Sequence, residues 1–267
     1  METSSLERAK AWANNLFFSK ESRNEILDLI DKNDLKEIEE RFHKDLEFGT
    51  GGIRSILGQG INRINTYTIR KATQALCTEV LAQKINNPSI CISYDSRRLS
   101  FELAKSAAEV MAGNGIKAYI FKRLNPVAIL SYSVRHHKSQ AGIMITASHN
   151  PPEYNGYKVF WSDGAQVTPP NDQNIINNYY SIYDFSSIKF LSFQEGERLG
   201  LIHWVGIELE DLYHKDILSK AIDRELCSSK GEQLKIVYTP IHGAGLIPCT
   251  RALNELGFSD VHVVEEQ

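Results

Sequence analysis

No stretch of this chain is apolar over a membrane-spanning length, and no run of basic residues is present. A net charge of −3 argues against a nucleic-acid or anionic-membrane partner. The opening METSSLERAKAWANN is polar and amphipathic, without the apolar segment of a secretory signal. Cysteine is sparse: Cys77, Cys91, Cys227 and Cys249 lie far apart and make no CxxC or Cys/His metal spacing. A reducing compartment suits that usage, so a cytoplasmic location is expected. Internal repeats and low-complexity tracts are missing as well. What is there, 267 residues with 42% hydrophobic and 24% charged, has the composition of a globular protein with one large or two smaller cores.

Organisation along the chain is regular. SSLERAKAWANNLF, SRNEILDLI and NDLKEIEERF carry helical periodicity, the first behind a serine cap. EFGTGGIRSILGQGINRIN breaks that period and predicts two extended segments around glycine turns. Helices and strands then alternate. Helices are expected over TYTIRKATQALCTEVLAQKI, SFELAKSAAEVMAGNG (with a serine cap) and PVAILSYSVRHH, and strands over SICISYD, IKAYIF and AGIMITA. Such alternation indicates an α/β fold, with helices layered on a mixed, largely parallel sheet. Chemistry in these sheets gathers at the carboxyl ends of the strands, where Asp95 and Ser148 sit. FSSIKFLSFQEGERLGLIHW reads as an irregular linker or domain edge. Beyond it LKIVYTP, IHGAG, LIPCTRALNELGF and VHVVEEQ make one further βαβ unit. Two strands rarely stand alone as a domain, so residues 1–204 are expected as a first domain and 205–267 as the incomplete start of a second, similar one.

AGIMITASHNPPEYNGYKVFW holds the chemistry. Asn150-Pro151-Pro152 restricts the backbone, and Asn155-Gly156 predicts a turn with positive φ. The loop thus displays Ser148, and the returning strand brings Lys158 back toward it. No G-x-S-x-G elbow is present, and adjacent residues on an extended chain point apart, so Ser148 and His149 are poor candidates for a hydrolase pair. A serine beside a lysine and free N–H groups suits a phosphate better than an acyl group. Arg54 in GTGGIR offers a planar fork for phosphate oxygens, and SYDSRR places Asp95, Arg97 and Arg98 at a strand end. Each has a bland counterpart: a hairpin turn for GTGGIR, a solvated loop for DSRR, and a strand-to-helix turn for IHGAG, whose His242 is assigned no chemistry.

Together these segments resemble the α-D-phosphohexomutase family of phosphoglucomutases and phosphomannomutases. The family's T-A-S-H-N-P with N-G-x-K is matched by Thr146 to Pro151 and Asn155 to Lys158, and FGTGGIR, SYDSRR and YTPIHGAG follow in the family's order. The style is similar to the phosphoglucomutase-2 and phosphopentomutase-like branch, over the front half of a member. The resemblance implies that Ser148 carries a phosphoryl group, with Lys158, Arg54 and His149 as catalytic neighbours. It also implies that Thr50, Gly51, Asn150 and Arg97 bind substrate or phosphate, Arg97 alternatively serving as scaffold. It further implies a sugar monophosphate substrate, a sugar bisphosphate activator, and Mg²⁺ held through the phosphate on Ser148. The D-x-D-x-D run that supplies the family's other metal ligands does not occur in this sequence, and little activity is expected of these residues alone. Two rivals stay open: a non-catalytic phosphosugar-binding module of the same fold, and a serine hydrolase. Neither the sugar nor the choice of monomer or dimer is legible.

Overall fold

Three helices come first. In the computed structural model, which describes residues 4–49 and 51–267, these are α1 (Ser5–Asn14), α2 (Lys20–Asp31) and α3 (Leu35–Phe42). Each starts at a side-chain cap, Ser4, Ser19 and Asp34 respectively. Ser4 and Glu7 close a capping box, which satisfies N–H groups that a helix start leaves without partners. Trp12, Phe18, Ile26, Ile38 and Phe42 form a small core between these helices.

The alternating segment then folds as its periodicity requires. β1 (Ile53–Ile56) is followed by α4 (Thr66–Ala82), β2 (Ser89–Tyr94), α5 (Ser100–Gly113), β3 (Lys117–Phe121), α6 (Val127–His136), β4 (Ala141–Ile145), β5 (Tyr154–Trp161), α7 (Asn171–Ser181), α8 (Phe193–Arg198) and β6 (Ile202–Val205). The six strands make one sheet in the order β1-β5-β4-β2-β3-β6. Only β5 runs against the rest. Every residue of β2 and β4 is buried, because helices cover both faces, as parallel strands require. Ile90, Ile92 and Ile143 face the α4/α5 side. Cys91, Met144 and Phe160 face Leu130 and Val134 of α6 on the other. Each such isoleucine contributes about 1.5–3 kcal/mol on leaving water.

α9 (Ile207–Ser219) returns to this body, with Leu209 packed among Phe121, Ile129 and Val205. α10 (Arg224–Lys230), β7 (Ile236–Tyr238), α11 (Leu246–Glu255) and β8 (Val261–Val263) complete the described chain, β7 and β8 pairing in parallel as a second, two-stranded sheet. No helix among the described residues is long and apolar enough to cross a membrane.

Four local expectations are corrected. The segment read as an irregular linker holds α8 and β6, and β6 supplies the sheet's sixth strand by pairing with β3. Elements of six and four residues are too short to establish a period. The second extended segment after GTGGIR is a compact loop with one isolated bridge, Leu57 to Ile64. Asn65 draws it together by donating to the carbonyls of Gly58 and Gly60. Ser100 does not cap α5: the cap position is Leu99 at φ 61°, without a side-chain bond. Asn155 and Gly156 lie inside β5 rather than in a turn, and Gly156 has no positive φ.

Candidate active site

β4 delivers Thr146, Ala147 and Ser148 to the edge of a cleft. The positive φ expected of the Asn-Gly pair belongs to Ser148 itself, at 59°. A left-handed backbone costs a non-glycine residue about 1–2 kcal/mol, so the surrounding bonds must hold it. Two devices do. The Thr146 hydroxyl donates to Asp95 Oδ2 at 2.5 Å and accepts from the Ser148 N–H at 2.9 Å. The Arg97 guanidinium donates to four loop carbonyls, those of Pro151 and Tyr154 from Nη1 and of Ser148 and Asn150 from Nη2. Both Nη atoms of Arg97 are thus committed to holding the loop. Asp95 is held in turn by the Arg97 N–H and the Ser100 hydroxyl. Gly156 is required by close approach: a Cβ there would lie 2.5 Å from Ile53 O and 2.6 Å from Thr146 O.

The outcome is an exposed serine on a fixed frame. Ser148 and His149 are both exposed, and the hydroxyl lies 3.4 Å from His149 Nδ1, at the long limit of a hydrogen bond. Alternation along an extended chain does not separate the pair, because Ser148 is left-handed. No carboxylate orients His149 among the described residues, so the hydrolase reading gains nothing. Asn150 lines the cleft, and its amide oxygen is buried without a partner among the described residues.

Lys158 stands on β5 opposite Met144 of β4, and Arg54 on β1 opposite Gly156. Strand periodicity puts Arg54 and Lys158 on one face, two residues apart along the ladder. Lys158 lines the cleft. Its pKa is lowered first by burial and then by the neighbouring Arg54 cation, while Asp95 acts in the opposite direction. Arg54 sits beside Lys158, outside the lining itself. In the glycine turn, Gly49 and Gly52 bond each other, and Gly52 has φ 97°. Gly51 is exposed at the turn, whereas Thr50 lies outside the described residues.

The cleft has a volume of about 850 Å³. One wall carries Asp95, Arg98, Thr146, Ser148 and Lys158, and the other is Pro240 to Ala244 from the turn after β7. Two parts of this site were missed in the sequence. Local pattern marks Thr146 only as part of T-A-S-H-N-P and gives the 240–244 turn no chemistry. Its place at the carboxyl end of a strand was the signal that could have found it. No group of three or more His, Cys, Asp or Glu among the described residues could hold a metal ion. Asp95, the cleft carboxylate beside Ser148, already accepts three hydrogen bonds. These residues by themselves do not fit a magnesium site.

A family model described as phosphoglucomutase/phosphomannomutase, alpha/beta/alpha domain I, matches residues 45–184. A phosphoglucomutase of Staphylococcus haemolyticus is 34% identical, over 86% of this chain and 40% of its own length. A human phosphopentomutase is 32% identical, over 81% of this chain and 36% of its own length. The chain thus spans about 40% of the length of such relatives. Among solved structures, a putative phosphomannomutase from Thermus thermophilus superposes with a TM-score of 0.68 at 21% identity, covering 84% of this chain and 46% of that one. At that identity the likeness concerns the fold.

Proposed function

The chain belongs to the phosphoglucomutase/phosphomannomutase family, and from that membership we propose that it carries the phosphoryl-accepting serine of a sugar-phosphate mutase. The observation that carries the reading is an exposed Ser148, braced from behind and sharing its cleft with Lys158. In the proposed cycle the bond from Ser148 Oγ to phosphorus breaks as a hydroxyl oxygen of a sugar monophosphate bonds to that phosphorus. The hydroxyl gives up its proton, and the serine oxygen keeps the electron pair. Return of the sugar's other phosphoryl group to Ser148 closes the cycle, so a sugar bisphosphate can charge the enzyme.

Such transfer asks for positioning and charge stabilisation more than for covalent chemistry. Lys158, with Arg54 beside it, supplies positive charge where the phosphoryl oxygens gather. His149 is assigned the proton nearest the serine oxygen. The frame of Asp95, Thr146 and Arg97 keeps the oxygen in place, and Asn150 offers an unused amide. Mg²⁺ belongs to the reading through the family, but the described residues provide no site for it, and no step here runs through it. Because the chain spans about 40% of the relatives' length, phosphoryl uptake rather than mutase turnover is proposed for these 267 residues alone. The substrate class is a hexose or pentose monophosphate, since relatives carry both phosphoglucomutase and phosphopentomutase names.

Intact-mass and phosphopeptide analysis after incubation with glucose 1,6-bisphosphate tests the proposal. One phosphoryl group should appear on Ser148, and Ser148→Ala should take up none. A chain that binds sugar phosphate but never acquires phosphate at Ser148 would instead be the non-catalytic module.

A further inference from the structure

The wall opposite Ser148 is built in another way. After β7, Ile241 and His242 stand at φ 47° and 58°, two successive non-glycine residues in the left-handed region. There a β-branched residue is a genuine outlier, and such outliers persist only where neighbouring bonds over-determine them. Four bonds do so here. Ile241 N donates to Thr239 Oγ1 at 3.1 Å. Gly243 N donates to Pro240 O at 2.9 Å, and His242 N to Gln267 O at 3.1 Å. The fourth crosses the cleft, with the Ser96 hydroxyl donating to the His242 carbonyl at 2.5 Å. Ser96 directly follows Asp95, whose carboxylate anchors Thr146 and through it Ser148.

Both backbone polar groups of His242 are thus committed. Its imidazole makes no hydrogen bond among the described residues, yet His242 is exposed and lines the cleft. Exposed histidines are commonly just solvated. What separates this one is a strained backbone, fixed by bonds from two directions, at the mouth of a cleft that ends at an acceptor serine.

We propose that His242 is a substrate-binding residue, its imidazole hydrogen-bonding an oxygen of the sugar phosphate from the wall facing Ser148, and that Ser96 is its positioning residue. The proposal rests on the phosphosugar reading of the cleft. An imidazole has one nitrogen to donate and one to accept, so it serves a phosphate oxygen or a sugar hydroxyl equally.

Imidazole NMR on the histidine-labelled 267-residue chain tests this, with the His242→Gln spectrum assigning the signal. Titration with glucose 1-phosphate should move the His242 signal. A shift with inorganic phosphate alone identifies a phosphate contact, and a shift with glucose alone a hydroxyl contact. Loss of one hydrogen bond should weaken glucose 1-phosphate binding by roughly 2- to 10-fold in His242→Gln. Ser96→Ala should weaken binding and shrink the His242 shift, and Ser96→Thr should restore both. The proposal is overturned if the His242 signal ignores all three ligands, or if His242→Gln binds as tightly as the parent chain. The two readings fail separately. A His242 response without phosphate uptake at Ser148 removes the mutase step and leaves this contact standing, whereas uptake with a silent His242 removes the contact alone.

Discussion

β2 and β4 have no exposed or half-buried residue, while β7 and β8 have no buried one. Both pairs are parallel, and each belongs to a unit that lends one wall to the same cleft. In the six-stranded body the strands are sealed by α4 and α5 on one face and α6 on the other. In the β7–β8 unit Val237 is 74% exposed and α11 has no buried residue. The functional loops differ to match. The serine loop is held by an arginine fork and an Asp–Thr relay, side chains anchored in a rigid sheet. The facing turn hangs on two backbone–backbone bonds and on the hydroxyls of Thr239 and Ser96, the second of which reaches across the cleft. The body therefore fixes the Ser148 hydroxyl from a buried sheet, and the smaller unit lends its wall from a sheet with no buried residue.

The largest effect should separate the two sheets. Ile143→Ala on β4 should lower unfolding stability by about 2–5 kcal/mol, and Val237→Ala on β7 by no more than about 0.5 kcal/mol. Urea denaturation measures both, and equal losses would break the comparison. Next comes the brace. Arg97→Lys keeps the charge but gives up the planar fork that reaches four carbonyls, so a loss of about 1–3 kcal/mol is expected. Faster amide exchange should be confined to residues 148–154, with β2 unchanged. If exchange rises across the whole body, Arg97 holds the sheet and not the loop.

The smallest effect concerns Lys158. Burial and the Arg54 charge lower its pKa in the folded chain. The unfolded chain therefore holds that proton more tightly, and this group's contribution to stability improves as pH rises from the folded pKa through the ordinary lysine value. Screening keeps the gain small, since the ammonium is only partly buried. Arg54→Ala should raise the Lys158 pKa, and phosphate on Ser148 should raise it further, both visible in a side-chain NMR titration. A Lys158 that titrates identically in all three states would lie too far from either group to serve the proposed chemistry.

Much of this was readable beforehand. Apart from the second extended segment after GTGGIR, which is a loop, periodicity located the helices and strands of residues 5–161, because a strand buried on both faces and an amphipathic helix leave different apolar spacings. The loop of Ser148 and the return of Lys158 were readable too, since two prolines and a strand register act over a dozen residues. Short elements were not. α8 and β6 carry too few residues to show a period, and they form because β3 offers an edge and Phe193 and Trp204 pack together. The source of the positive φ was misassigned for a related reason: Asn-Gly favours a turn in isolation, but here three strands meet and the pair is drawn into β5.

By itself the sequence determined the α/β class, the family, and a serine held out on a stiff loop, all properties that neighbouring residues encode through spacing and backbone restriction. Only the tertiary structure decided that Arg97 is a brace, that Thr146 links Asp95 to Ser148, and that Ser96 meets His242. Those partners lie from 51 to 146 residues apart in the chain. Contacts over such separations follow from how the sheet is ordered and its helices packed, which no local pattern of residues records.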